Sequence, residues 1–464
     1  MCSSVPLLLD LECDGILVLE LLAQLETTAL ADGTAADDVA VVERLGLGYV
    51  FDDVGEGVVQ LVASRPAGRS SASGRDPNAV RLATDADEHI SRTYLPSAVN
   101  VPSMYDFLVV GVGPPGARFA RRAAEAGYDV LALEKGRVGE PLACSGHVST
   151  DIWEFTGDGA REELFQNEIY GARFHVGGPT SDAYPFYKTD VASNVIDRVG
   201  LDRHLAALAR EAGADVREAH TVTSVTEHHD RVAVVASGPD GTREFEAKML
   251  AGCDGPRSRV RDELDLPQPE ELLHGVLAFS EEDDHQDFVD VHLTPPTFFA
   301  WRIPRGEAGV EYGLAAPPGV QVTKHFEDLI DGYEIDVAHR CSGAIPIGPP
   351  DRVTTRRAFL IGDAAAQTKP FTGGGILYGM TSADHAAREI NPERPATLAA
   401  YERAWRADLE REQALGRWIR RAYSLPEPVQ RLGLRALSGE IGVHMDRPTS
   451  LVSLEHLKTI LSRR

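Results

Sequence analysis

Phe107-Leu-Val-Val110 is a short, wholly apolar, β-rich run, and Gly111-Val-Gly113-Pro-Pro-Gly116 follows it without a break. A run of that kind reads as a buried parallel strand. Ala117–Ala126 reads as a helix, and Asp129–Leu133 as a second strand ending at Glu134, eighteen residues beyond the last glycine. A glycine triplet alone says little. Between a strand and a helix, with an acid at that distance, it specifies a dinucleotide-binding unit. Gly111 permits the tight turn, and Gly113 lets the backbone approach a pyrophosphate. Gly116 allows close helix–strand packing, and the helix N-terminus offers N–H donors and the positive end of its dipole. Glu134, with Lys135 beside it, is placed to bind an adenosine ribose. A carboxylate there repels a 2′-phosphate, so the loop reads as an FAD or NAD site and not an NADP site.

A second glycine-rich segment lies far along the chain. Phe359–Ile361 is an apolar strand that delivers Gly362-Asp363, and Gly373-Gly374-Gly375-Ile376 then opens a helix running toward Glu389. Asp363 is placed to bond a ribityl chain. The bare N–H groups of Gly373–Gly375 and the helix dipole suit negative charge at the N1/O2 edge of a reduced flavin. The two segments together therefore point to FAD.

The stretch between them supplies the rest. Gly139–Ser149 holds Cys144-Ser145-Gly146, a cysteine among small neighbours where backbone can approach a ligand closely. Arg198 lies just before a helix spanning about Asp202–Leu208. Thr221–Glu227, Val232–Ser237 and Glu244–Met249 read as consecutive antiparallel strands leading to Asp254-Gly255, and Asp254 reads as a structural residue of the cofactor domain. Val276–Ser280, Phe288–Leu293, Thr297–Ile303 and Gly309–Leu314 alternate like a second sheet. Its aromatic strand carries Phe299, Trp301 and Pro304, candidates for the wall of an apolar tunnel.

Composition limits the function classes. The net charge of −25 opposes nucleic acid as a partner, because phosphates need a basic footprint. Forty arginines against six lysines, with many acids, fit a protein solvated at high salt or a GC-rich genome. Five scattered cysteines, none in a C-x-x-C pair, indicate neither a zinc site nor a disulfide framework, and fit a reducing, cytoplasmic setting. No metal site is expected. Apolar runs are too short for a transmembrane helix. Arg417–Arg421, with Trp418, is a basic cluster suited either to an anionic membrane surface or to balancing acidic neighbours. Residues 1–103 carry no motif and include a low-complexity linker at Ala67–Asn78. Met104 stands directly before the first strand, so translation is expected either to start there or to include a loosely packed extension.

Gly111-x-Gly-x-x-Gly, Glu134, Asp254-Gly and Gly362-Asp363, in that order, resemble the class A flavoprotein fold of the aromatic hydroxylases. Pro141-Leu-Ala-Cys144-Ser-Gly146 and Lys369-Pro-Phe-Thr-Gly-Gly-Gly-Ile376 are similar to the geranylgeranyl reductase family, in particular the archaeal digeranylgeranylglycerophospholipid reductases. The resemblance covers about residues 104–464. It implies a mixed α/β fold, an FAD-binding Rossmann-like domain interleaved with an antiparallel-sheet substrate domain and followed by a helical C-terminal region. The expected boundaries are 104–180 for the first FAD segment, 181–250 for a mixed connection and 251–268 for the return to the FAD domain. The substrate sheet is expected over 269–345, the second FAD segment over 346–394 and the helical region over 395–464. It also implies hydride transfer from reduced FAD to an isolated alkene of an isoprenoid ether lipid at a membrane surface, with ferredoxin or NAD(P)H as electron donor. Cys144 is implied near the flavin, as the candidate proton donor. The family's Tyr-x-Trp-x-Phe-Pro strand is matched by Phe299-Ala-Trp301-Arg-Ile303-Pro304, with Phe for Tyr and Ile for Phe, and its later Gly-x-Gly by Gly313-Leu-Ala315.

Overall fold

A computed structural model describes residues 104–140, 144–440 and 447. The stretch 1–103, residues 141–143 of the cysteine loop and all but residue 447 of the chain beyond 440 lie outside the described residues. The elements that frame the site are, in chain order, β1 (Tyr105–Val110), α1 (Pro114–Glu125), β2 (Val130–Leu133), α2 (Arg198–Glu211), β3 (Gly241–Gly252) and β4 (Glu271–Ser280). There follow β5 (Ala300–Pro304), β6 (Val310–Ala316), α3 (Val322–Tyr333), β7 (His339–Ile347), β8 (Ala358–Leu360), α4 (Ile376–Glu389), α5 (Leu398–Arg421) and α6 (Glu427–Leu437).

The first sheet is built on β1. It pairs in parallel with β2 on one side and with β3 on the other, and β8 pairs in parallel with β3. The register puts Val110 opposite both Leu133 and Gly252, and Gly252 opposite Leu360. Four strands therefore end on one edge, where parallel-sheet enzymes bind their ligands. Gly111, Glu134, Cys253 and Ile361 all leave from that edge. Phe119 of α1 joins its ends: its ring meets Phe107 of β1 at 5.2 Å and Phe359 of β8 at 5.3 Å, both edge to face.

The second sheet has eight strands and is largely antiparallel. Its order is β7, β4, β6, β5, then Phe288–His292, Gly171–His175, Ala183–Tyr187 and Gly439–Glu440. Two of these strands lie at 171–187, ahead of the 269–345 range expected for this sheet, and the last lies in the stretch expected to be helical. The aromatic strand also begins later than expected. Thr297 has φ +61°, a left-handed conformation no strand residue holds, so Phe298 and Phe299 sit in a turn and β5 starts at Ala300. Arg198 is the first residue of α2 and not the residue before it.

Along β6 the side chains alternate. Tyr312, Leu314 and Ala316 pack under α3 with Phe326, Leu329 and Ile330. Ala315 turns to the opposite face, with Phe298, Phe299 and Ile347. By the same alternation Glu311 and Gly313 belong to that second face.

Candidate active site

The first glycine loop closes on itself at two glycines and stays open at the third. A Cβ at Gly111, where φ is +91°, meets the Cys253 carbonyl oxygen at 2.4 Å, and one at Gly116 meets the Gly111 oxygen at 2.0 Å. A Cβ at Gly113 meets nothing within 4 Å. Protein packing thus forbids side chains at Gly111 and Gly116, while the space above Gly113 is left for a ligand. Glu134 Oε2 accepts the Val112 N–H at 2.8 Å and Oε1 the Gly136 N–H at 3.3 Å, which holds the carboxylate beside the loop with acceptor capacity remaining. Lys135 is exposed and forms no hydrogen bond among the described residues. Pro114 and Pro115 have no N–H, so the first turn of α1 keeps only the Gly116 amide as a donor, fewer than such a helix usually offers.

Asp254 directs its carboxylate into its own turn, accepting the Ser258 hydroxyl at 2.6 Å and the Val260 N–H at 3.0 Å. It pins the chain as it leaves β3.

The second glycine segment is pressed against the first. A Cβ at Gly362, φ +68°, meets the Pro115 ring at 2.6 Å, and Gly379 of α4 touches the same ring. Arg118 of α1 grips Asp384 of α4 through two bonds of 2.7 and 2.9 Å. Each glycine of the triplet has its own neighbour: Gly373 (φ +75°) faces Ile345 and Phe298, Gly374 faces Lys369, and Gly375 faces the Asp363 carboxylate. The Asp363 carboxylate accepts no hydrogen bond among the described residues. Desolvation pushes its pKa up to about 6, with Arg198 opposing. Ile376 starts α4, whose first turn has no side-chain cap and no acid.

Arg198 ties this edge to the cysteine loop. Its guanidinium pairs with Asp202 at 2.5 Å, one helical turn on, with both side chains buried. Among the described residues its Nε is buried without a hydrogen-bond partner. Removing either member of such a pair costs on the order of 3–5 kcal/mol. Burial raises the Cys144 thiol above its ordinary pKa, and Arg198 opposes the rise by charge and by hydrogen bonding. Ser145 accepts the His147 N–H at 3.1 Å, and a Cβ at Gly146 meets the Ile196 oxygen at 2.2 Å, so that loop holds its course against the strand beside it.

Facing the loop is the inner side of the second sheet. Phe299 meets Trp301 at 5.6 Å and Tyr423 at 5.8 Å, and stacks on Phe298 at 4.6 Å. The Trp301 indole packs against Gly313, whose added Cβ meets ring atoms at 2.0–2.4 Å. That explains the glycine. Pro304 is buried but, by alternation along β5, faces the other side from Trp301 and does not join the aromatic group.

Three residues of this site were not singled out from the sequence. Glu311 is buried and accepts the Trp301 indole N–H at 2.9 Å. Burial raises its pKa, opposed by the bonds from Trp301, by Arg305, and by the Ser145 hydroxyl and Gly146 amide. Cys341 of β7 lies near both Glu311 and Cys144, and burial raises its thiol pKa. Asp202 looked like an ordinary helix residue. The one available hint for Glu311 was an acid amid an otherwise apolar strand.

The residues fit an FAD. Space opens over Gly113, an acceptor stands at Glu134, and among the described residues Asp363 and the Arg198 Nε lack hydrogen-bond partners. The sequence family described as an FAD binding domain matches residues 104–293. A geranylgeranyl bacteriochlorophyll reductase-like protein from Thermoplasma acidophilum superposes with a TM-score of 0.66 at 24% identity, over 77% of this chain and 96% of that one. A p-nitrophenol 4-monooxygenase from Pseudomonas putida superposes with a TM-score of 0.56 at 17% identity, over 78% and 97%. The fold is thus shared by proteins named for different reactions, and the FAD-binding family match and the site together define an FAD-dependent oxidoreductase. Within that class the sequence is 30% identical over 340 residues to digeranylgeranylglycerophospholipid reductase 2 of Methanopyrus kandleri, covering 65% of this chain and 82% of the relative. It is 28% identical to the enzyme of that name from Methanothermobacter thermautotrophicus, over 72% and 92%. The chain belongs to the digeranylgeranylglycerophospholipid reductase family.

Proposed function

We propose that this protein hydrogenates carbon–carbon double bonds in the geranylgeranyl chains of a glycerophospholipid ether lipid. The observation that carries this is the apolar aromatic face of the second sheet, set against an FAD edge in a chain of this family. Bound and reduced, FAD supplies a hydride equivalent to one alkene carbon, and a proton must reach the other.

Gly113, Glu134, Asp363, Gly362 and the Gly373–Gly375 amides hold the cofactor in this reading, and the N-terminus of α4 stabilises negative charge. In this reading the cofactor domain is divided by the second sheet. Phe299 and Trp301 orient the alkene and exclude water, since an unpolarised double bond offers little else to bind. Cys144 delivers the proton. Its raised pKa keeps the thiol protonated at neutral pH, and Arg198 stands by to stabilise the thiolate left behind. Among the described residues no helix is long and apolar enough to cross a membrane. The enzyme meets its lipid at the membrane surface by peripheral contact, and a ferredoxin or NAD(P)H reduces the flavin.

Incubating the reduced holoenzyme with unsaturated digeranylgeranyl phospholipid and weighing the product tests the reading. Gains of two mass units per event are expected. A gain of sixteen means oxygen insertion and overturns it. Parallel reduction trials with NADH, NADPH and reduced ferredoxin identify the donor.

A further inference from the structure

At the outer end of the aromatic face lies an open cavity of about 240 Å³, lined by Arg417, Arg420, Arg421, Glu270, Glu271 and Thr297. Its floor is shared with the site. The Arg420 guanidinium sits 5.4 Å over the Phe298 ring, and the far edge of that ring comes within 3.4 Å of a Cβ placed on Gly373. One aromatic side chain thus separates Arg420 from Gly373 of the glycine triplet.

The three arginines are not equivalent. Arg420 is spent on the fold: it pairs with Glu271 at 2.7 Å and donates its Nε to the Thr297 carbonyl at 3.1 Å. Arg417 is half-buried and forms no hydrogen bond or ion pair among the described residues, and Arg421 only stacks on the Trp418 ring at 4.4 Å. With Glu270 the one other unpaired charge in the lining, the cavity carries a net positive charge in a chain of net −25. Next in sequence to lining residues Arg417 and Ser424 stand two apolar side chains open to solvent, Trp418 at 61% and Leu425 at 42%.

Resting on the hydrogenation reading above, we infer that Arg417 and Arg421 bind the phosphate of the substrate's glycerophosphate head. A lipid whose chains lie along Phe299 and Trp301 must leave its charged head where the apolar wall ends. Planar guanidinium groups with free donors match phosphate oxygens two at a time. The head would then act as an anchor that sets how far each isoprenoid chain reaches toward the flavin.

The test uses FAD-loaded protein carrying Arg417→Gln and Arg421→Gln together, with Arg417→Lys and Arg421→Lys as the rescue. Ligands are digeranylgeranylglycerol phosphate and its dephosphorylated alcohol, each in nonionic micelles. Binding to the oxidised holoenzyme is read from flavin absorbance and tryptophan fluorescence, so it stands even if no hydrogenation occurs. Loss of about tenfold in affinity for the phosphate ester, under twofold for the alcohol and with partial recovery in the lysine variant, is expected. Equal loss for both ligands, no loss, or no binding of the ester by the unmodified protein overturns the inference. So does an effect confined to added phosphatidylglycerol vesicles, which would make the arginines a bilayer contact. Competition by free glycerol phosphate at the affinity of the lipid would overturn it too, in favour of a small-metabolite site.

Discussion

Trp301 donates its indole N–H to Glu311 across the β5–β6 pair, with the ring packed against Gly313. Ser145 and Gly146 of the cysteine loop stand close enough to oppose the rise in its pKa. One acid therefore lies between the aromatic wall and the loop that carries Cys144. Glu311→Ala leaves the indole N–H without its buried partner, at about 1–3 kcal/mol. Glu311→Gln keeps an acceptor and is expected to lose about 1 kcal/mol. Urea unfolding of both variants checks the order. A turnover loss larger for alanine than for glutamine is expected beside it.

Gly113 separates cofactor binding from folding. An added methyl there meets no protein atom, so Gly113→Ala is expected to fold with apoprotein stability within about 0.5 kcal/mol of the parent. It should nevertheless purify with much less flavin, because the methyl stands in the space left for the pyrophosphate. Gly111→Ala, strained and clashing with Cys253, should lose both flavin and stability. Flavin absorbance per chain and melting of the apoproteins distinguish the two outcomes.

In the proposed mechanism Cys144 sets the pH behaviour of the reductive step. Burial raises its pKa, so the proton is present through neutral pH and is lost only on the alkaline side. Single-turnover reduction of the alkene should be flat through neutrality and fall above the ordinary thiol range. Cys144→Ala should slow it by about 10²-fold, the usual share of a general acid, and abolish the alkaline limb. An unchanged rate assigns the proton to water.

His292 stacks on His175 at 4.7 Å and hands its Nε2 to the Tyr333 hydroxyl at 2.8 Å. Desolvation, then His175, lower its pKa to about 4, with Asp290 opposing. A depressed folded-state pKa means the unfolded chain binds the proton first. Its contribution is whole above about pH 6.5 and is lost as pH falls toward 4, by at most about 3 kcal/mol. His292→Gln should flatten that part of the stability profile, measured by denaturant midpoints from pH 7 to 4.

Much of the fold was legible because its signals are local. A strand, a glycine turn and a helix are specified by neighbours in sequence, and Thr221–Glu227 and the helix after Gly375 formed where periodicity put them. Phe298 and Phe299 escaped, since a single left-handed residue at Thr297 ended the strand before it reached them. The hairpin at 171–187 escaped: Gly171–His175 joins the sheet by pairing with Phe288–His292, more than a hundred residues away, and Ala183–Tyr187 follows only because it pairs with Gly171–His175.

The two glycine segments, by themselves, determined the cofactor class. Backbone that must approach a ligand admits only glycine, and that requirement is written into the residue type. What the tertiary structure alone decided was which side chains meet. Val110, Gly252 and Leu360 in register bring Gly111, Cys253 and Gly362 to one edge, and Glu311 reaches Trp301 and the cysteine loop only because β6 turns that side inward. A carboxylate in a strand looks alike whether it faces water or a buried indole. The fold chooses between them, because only there are desolvation and its compensating hydrogen bonds settled.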